Sequence, residues 1–599
     1  MLQDPHTFHI PVMGLAFTVD SPVKIARFGI SSVVSLSDDT LMEQMRRHYC
    51  NEYGMVYTPI HPSAEDFRAK RTTAYLDLLQ HITRQQFEKL CAESFAPGTE
   101  ITRYFELLPE TAPLSQLYRK MQQETDRTKK EQLQEQLRRQ MCPGSIDVNI
   151  MTKLDRTNYD KEGNALPPEY SDALAALRGY ANSQLSSSLI LSAGLNPRLF
   201  SYLENFADFY PDSSGFIKKK VVLKVSDFRS AAIQGKFLAK KGIWISEFRI
   251  ESGLNCGGHA FATDGMLLGP ILEEFKEKRG ELAAELQGLV CRVLQEKGLP
   301  VPLKPLAQQL TYQGGIGTAQ EQAFLLEFYQ VDKTGWGTPF LLVPEATTVD
   351  APTIEKLARA EKKDLHLSYV SPLGVPFNTL KDSSAEQEKQ ERIRQGKPGS
   401  PCIKKHLVFN TEFTKQPICT ASHEYQKLKL EELHSLDMEP QAYQEAAARI
   451  TAKECLCVGL ANSALLLNKI VKKSKAVSIC PGPNMAYFSR IFSLEELVGH
   501  IYGKINILSS AYRPSFFVNE LVLYVEYLEK QLAESLQEAT ARQLKTMQTF
   551  KDNLLSGIDY YKTIVPFFSK EEESCKRMLA ELTILRERVL SLELNILCV

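Results

Sequence analysis

Three segments of this chain carry residue types whose spacing can do chemistry. In TYQGGIGTAQEQAFLLEF, Thr311–Phe328, a short strand runs into Gly314, Gly315 and Gly317 and then into a helix. Glycines let backbone N–H groups approach an anion, and a helix N-terminus adds a favourable dipole. That pattern predicts a phosphate cradle, although in isolation it is equally the pattern of a tight turn. About twenty residues later GWGTPFLLVPE, Gly335–Glu345, adds Gly337 and Thr338. In RIESGLNCGGHAFATDG, Arg249–Gly265, the pair Gly257 and Gly258 allows a tight exit from a strand and leaves His259 just beyond it. An imidazole titrates near neutrality and can serve as acid, base or hydrogen-bond donor. A lone histidine after a strand is more often structural; its place one unit before a phosphate cradle makes it the catalytic candidate.

A second group of reactive types lies further on. Cys402, Cys419, Cys455, Cys457 and Cys480 fall within about eighty residues, with His406 and His423 nearby. Metal or iron–sulfur ligation needs several soft ligands converging. No CxxC pair is present, so buried thiols are the preferred reading, and Cys256 is read the same way. The CPGPN turn that opens at Cys480 shapes either a substrate entrance or a subunit contact.

These residues need a scaffold, and the chain supplies a strand-then-helix rhythm. Candidate strands are His9–Thr18, Ile30–Leu36, Ile146–Met151, Ser187–Ser192, Val221–Val225, Ile243–Ile250, Leu310–Gln313 and Phe340–Val343. Continuous apolar runs such as VVSL, VVLKV and FLLV suit a parallel sheet covered on both faces. Eight such units closing on themselves predict an α/β fold of the (β/α)8 TIM-barrel type. Sites in such barrels lie at the C-terminal strand ends, with phosphates held between the loops after strands seven and eight. His259 follows the sixth candidate, Gly314, Gly315 and Gly317 follow the seventh, and Gly337 and Thr338 stand beside the eighth.

The barrel is expected over 1–360, with a helical insertion at about 38–144 that includes a charged exposed helix, Lys120–Met141. An irregular loop or linker is expected over 361–421, within which Asp382–Gly399 is polar and free of aromatics, and a mainly helical region over 422–599. The stretch Phe516–Leu597 reads as a helical pair, packed on the barrel or forming a homodimer contact.

Composition narrows the function classes. The 599 residues are 43 % hydrophobic and 24 % charged, and 71 Lys and Arg balance 72 Asp and Glu for a formal net charge of -1. That balance gives no electrostatic case for nucleic acid or an anionic membrane surface. The expected partner is a small-molecule substrate or another protein. With no apolar run long enough for a spanning helix and no signal-peptide pattern, a cytoplasmic protein with reduced thiols is expected.

The GGH after strand six, GGIGT after strand seven and GTPFLL at strand eight resemble the nitronate monooxygenase family and its relatives, the flavin-dependent enoyl-acyl-carrier-protein reductases, including the trans-acting type of polyunsaturated fatty acid synthases. The opening IPVMGLAFTVDSPVKIARFGISSVVSL is similar to that family's first two strands, and the likeness runs over Phe8–Pro352. The resemblance implies FMN as cofactor and NAD(P)H as an electron donor. It implies a phosphate site at Gly314, Gly315, Gly317, Gly337 and Thr338, with Gly257 and Gly258 also at the cofactor. It places Asn149 of IDVNIM on the flavin ring, Lys224 of VVLKVSD where a cation stabilises negative charge on reduced flavin, and His259 beside the flavin for proton transfer or oxyanion stabilisation. Asn255 and Cys256 depart from the acidic and small residues usual before GGH, which leaves the substrate open. Three activities follow: nitronate oxidation; NAD(P)H-dependent reduction of an enoyl thioester, with an acyl-carrier-protein partner; or flavin binding without turnover. A plain scaffold would bind no flavin.

Overall fold

In the computed structural model eight parallel strands close into a barrel: β1 (Phe8–Ile10), β2 (Ser31–Ser35), β3 (Ile146–Ile150), β4 (Ser187–Leu191), β5 (Lys219–Val225), β6 (Ile245–Glu251), β7 (Gln309–Gln313) and β8 (Lys333–Gly335). The structure describes residues 4–257, 264–471, 476–533, the backbone of 534–535, and 540–592. Closure is made by β8, which pairs with β7 at Thr311↔Lys333 and with β1 at Phe8↔Thr334. This is the (β/α)8 architecture, with helices around the barrel and a helical C-terminal region.

Two strands differ from expectation. The eighth is Lys333–Gly335, and the apolar run at 338–342 is a 3-10 helix with Pro339 in its first turn. A short run buried on all sides reads alike as strand or helix, and a proline whose fixed φ suits a first helical turn decides between them. The first strand stops at Ile10 instead of running to Thr18, because Pro11 lacks an N–H for the ladder and Gly14 follows at φ +54°.

The barrel lumen is unusual in being polar. Alternation along each strand sends one residue in two inward, yet only Val33, Ile190 and Val222, with Val12 against them, form an apolar cluster of their own. The remaining inward positions include His9, Asp147, Glu247, Arg249 and Thr311, all buried. Arg249 Nε donates to Glu247 Oε1 at 2.6 Å and Thr311 Oγ1 donates to the same oxygen at 2.5 Å. Burial and the Arg249 charge hold the His9 imidazole well below its ordinary pKa, hence neutral.

Between β2 and β3 the insertion forms helices, and the expected single helix Lys120–Met141 is two, Pro113–Gln123 and Arg127–Gln140. The break falls where Asp126 caps the second helix by accepting from Lys129 N–H at 3.0 Å. Beyond the barrel, β9 (Leu365–Ser368) and β10 (Phe377–Leu380) form an antiparallel hairpin, and Ser383 caps a helix over Ser384–Arg394. The polar run thus contains a helix, its charges being those of a solvated face.

The C-terminal stretch holds three helices where a pair was expected, Phe516–Ser535, Ala541–Phe568 and Glu572–Leu590. The second starts at a capping box in which Thr540 and Gln543 satisfy each other's backbone N–H groups. These helices pack on the barrel: Glu520 accepts from Leu268 N–H at 3.0 Å, and the Phe517 and Phe324 rings meet edge to face. Among the described residues no single helix is long and apolar enough to cross a membrane.

Candidate active site

The C-terminal strand ends converge on a mouth whose inner surface continues the polar lumen. Asn149 on β3, Lys224 on β5, Glu251 on β6 and Gln313 on β7 are each one inward step above the lumen network. Lys224 Nζ lies 3.0 Å from Glu251 Oε1, and Gln313 Nε2 donates to that same oxygen at 2.6 Å. Asn149 and Gln313 are 2 % exposed; Gln313 also faces the His9 imidazole, whereas Asn149 Oδ1 has no hydrogen-bond partner among the described residues. Asn255, in the loop after β6, has a second such oxygen. A buried acceptor without a donor costs about 1–3 kcal/mol, so the mouth is built to receive hydrogen-bond donors.

A cavity of about 80 Å³ joins Asn149, Lys224, Glu251, Cys256 and Gly257, and Leu373 and Val375 from the β9–β10 turn reach across it. The hairpin is tied down by Asn378 Nδ2, which donates to the Asn255 carbonyl at 3.3 Å. It forms an apolar cover over a polar floor, an arrangement that keeps bulk water from a reacting centre. Cys256 is buried, its S–H donating to the Cys480 carbonyl at 3.4 Å, and burial pushes its pKa well above the ordinary thiol value. It is a packed, protonated thiol.

The glycine loops after β7 and β8 do meet. Gly314, Gly315, Gly337 and Thr338 line one small cavity together with Asn255, Gln313 and Asn484. Its volume is about 10 Å³, room for about one water and less than a phosphate. The glycines also have reasons within the protein. A Cβ on Gly314, at φ +125°, would lie 2.5 Å from Ser252 Oγ; on Gly315, at φ +76°, it would lie 2.6 Å from Leu254 Cδ1. On Gly317 it would enter the Arg513 guanidinium at 2.5 Å.

The helix N-terminus beside this cavity is already engaged. Gly317 N–H donates to Glu321 Oε2 at 2.7 Å, and Arg513 Nη1 donates to Glu321 Oε1 at 2.6 Å. From the CPGPN turn, Asn484 Nδ2 donates to the Ile316 carbonyl at 2.8 Å and Gly482 N–H to Thr338 Oγ1 at 3.2 Å. The turn therefore lies against the glycine loops.

Of the residues singled out in the sequence, Asn149, Lys224 and Gly257 share the mouth cavity, while Gly314, Gly315, Gly337 and Thr338 share the smaller one. Gly317 sits apart, under Arg513. Gly258 and His259 lie outside the described residues. Glu251, Gln313, Glu321, Asn484 and Arg513 were not singled out. The first two had a signal, since the alternation Glu247, Arg249, Glu251 in ISEFRIE marks a charged inward face and Gln313 directly precedes the glycine pair. Among the described residues no three His, Cys, Asp or Glu side chains converge on a cation position.

No family model and no curated protein matches this chain. Among solved structures, nitroalkane oxidase from Streptomyces ansochromogenes is similar over 58 % of this chain and 88 % of its own, at 11 % identity and a TM-score of 0.25. At that score the likeness says nothing about what the chain binds.

Proposed function

We propose that the barrel is an oxidoreductase whose polar mouth takes the ring of a flavin, FMN being the form that the resemblance of the glycine motifs implies. The observation that carries this reading is the buried acceptor without a donor, Asn149 Oδ1, in one cavity with the Lys224 cation. This acceptor and cation fit the edge of an isoalloxazine ring, which offers an N–H to an amide oxygen and carbonyl oxygens to a cation. The phosphate end fits less readily, because the cavity between the glycine loops is about 10 Å³, room for about one water.

A bound flavin would supply two-electron acceptance and donation, chemistry that no side chain offers. Lys224, held by Glu251, stabilises negative charge at the mouth. Asn149 would orient the ring by accepting its N–H. Leu373 and Val375 exclude water from above. His259 takes the role of proton transfer or oxyanion stabilisation in this proposal.

Nitronate oxidation, as in the family that the glycine and GGH motifs resemble, is the first reading. A second, reduction of an enoyl thioester by NAD(P)H, is favoured by a cavity of about 400 Å³ that begins at Leu254, Gly315 and Asn484 and is walled by Lys362, Lys363, Lys381 and Lys530 with several tyrosines. Phosphate-bearing carriers such as nicotinamide nucleotides or phosphopantetheine suit such walls. The test is purification followed by a visible spectrum, identification of any released cofactor, and anaerobic reduction by NADH and NADPH. A colourless protein that does not take up FMN overturns the proposal. If FMN binds, His259→Ala is expected to stop turnover with the flavin retained.

A further inference from the structure

Away from the barrel mouth, four cysteines gather where the chain after β10 folds against the loop that follows β3. Two backbone segments are laid side by side there: Ser400 N–H donates to the Ala421 carbonyl at 3.0 Å and His423 N–H to the Ser400 carbonyl at 2.9 Å. Cys402 and Cys419 lie on these two segments, and the Cys419 S–H favours the thiolate of Cys402. Cys402 has φ +50°, a left-handed conformation that a non-glycine residue adopts at a cost and that recurs at functional sites. It is half-buried and lines a cavity of about 270 Å³ with Cys455, Lys389 and Arg392, whereas Cys419 is buried.

The four thiols are not equivalent. The Cys419 S–H is the main influence holding the Cys402 thiol below its ordinary value, to about 7, with help from the Lys405 backbone N–H and the Lys405 and Arg156 charges. Arg156 Nη1 is fixed nearby by donating to the Lys405 carbonyl at 3.0 Å. Burial pushes Cys455 and Cys457 in the opposite direction. One thiol thus lines a cavity and is activated, and its neighbour on the adjoining segment is sheltered, which is the division of labour of an attacking and a resolving cysteine.

We propose that Cys402 and Cys419 form a redox-active dithiol in which Cys402 attacks a small-molecule disulfide admitted through the cavity and Cys419 resolves the mixed disulfide. In the first step the Cys402 thiolate bonds to one sulfur of the disulfide, whose S–S bond breaks to release a thiolate. In the second, deprotonated Cys419 bonds to the Cys402 sulfur and expels the remaining thiolate. Two protein thiols are oxidised to one disulfide, the small disulfide is reduced to two thiols, and the two protons pass from the cysteines to the released thiolates. This chemistry is independent of any flavin at the barrel mouth.

The test uses the full chain equilibrated in buffers of reduced and oxidised glutathione, quenched by alkylation and mapped by peptide mass spectrometry. One disulfide, Cys402–Cys419, is expected to form. Cys419→Ser is expected to accumulate glutathione on Cys402, and Cys402→Ser to take up none at either position, with circular dichroism confirming that both variants fold. The pH profile of Cys402 alkylation is expected to inflect near 7 and to move upward in Cys419→Ser. Thiols that stay reduced across all buffers, a disulfide that joins another pair, an unshifted profile, or stoichiometric zinc protecting all four cysteines would each overturn the proposal.

Discussion

Glu321 and Arg513 are 192 residues apart in sequence and meet at 2.6 Å, the carboxylate 3 % and the guanidinium 5 % exposed. Glu321 stands at the start of the helix Ala319–Glu327 beside the β7 loop, and Arg513 precedes the first of the three C-terminal helices. Every polar atom of the pair is used: Glu321 also accepts from Gly317 and Phe516 N–H groups, and Arg513 also donates to Asn484 Oδ1 and the Gly315 carbonyl. One buried ion pair thus joins the glycine loop, the CPGPN turn and the C-terminal helices.

Removing one partner leaves the other charged and buried, which costs about 3–5 kcal/mol. Arg513→Met is therefore expected to lower the unfolding free energy by about that amount in urea titrations. The double variant Arg513→Met with Glu321→Gln should recover part of the loss, because neither charge is then stranded. Simple addition of the two single losses would show that the residues act separately.

Much of the barrel was legible because fully buried parallel strands leave apolar runs such as VVLKV. The eighth strand was not, because Lys333–Gly335 is three residues long and polar while the neighbouring FLLV is equally apolar. The meeting of the two glycine loops was legible from barrel topology alone. The Glu321–Arg513 pair was not, since side chains so far apart in sequence leave no local pattern. Nor did the sequence reveal that the glycines make room for Ser252, Leu254 and Arg513, because a glycine shows only that a Cβ is excluded and not what excludes it.

At the mouth, Asn149→Leu removes an acceptor and Lys224→Met a cation. Each lost hydrogen bond is worth about 1–3 kcal/mol, or roughly 5- to 150-fold in affinity. Fluorescence titration of the apoprotein with FMN is expected to show weakening of that order in both variants. Wild-type affinity in both would remove these side chains from the ring site, even if the protein binds FMN elsewhere.

Glu520 is buried between the C-terminal helices and the barrel, accepting from Leu268 N–H and from Tyr561 O–H at 2.7 Å. Burial outweighs both bonds and pushes its carboxyl up to about 7 from 4.5. A carboxyl raised on folding favours the protonated folded state, so its contribution is complete below about pH 4.5 and is lost as pH rises through 7. The difference is about 3 kcal/mol. Urea midpoints measured between pH 5 and 8 are expected to fall less steeply in Glu520→Gln than in the wild type. An unchanged slope would mean that another group sets this limb.

His406 faces two carboxylates, with Nε2 3.7 Å from Asp38 Oδ1 and Nδ1 3.8 Å from Asp172 Oδ2. These are ion-pair distances, longer than hydrogen bonds. Burial opposes charge on the imidazole, but the two anions outweigh it and raise the pKa from 6.5 to about 9. Lys404, Arg156 and Arg68 complete the cluster, which fastens the segment after β10 to the barrel through the N-terminal ends of two helices, the one that Asp38 caps and the one that begins at Asp172. Because the folded state raises this pKa, the stabilisation is fully present below about pH 6.5 and is lost as pH rises through 9. Unfolding midpoints between pH 6 and 10 are expected to decline in the wild type and to be lower but flatter in His406→Gln. The comparison is best made on Cys402→Ser, so that thiol ionisation four residues away does not add to the slope. An alkaline decline equally steep in both chains would show that His406 is neutral in the folded protein and that the segment is held by Lys404 and Arg156 alone.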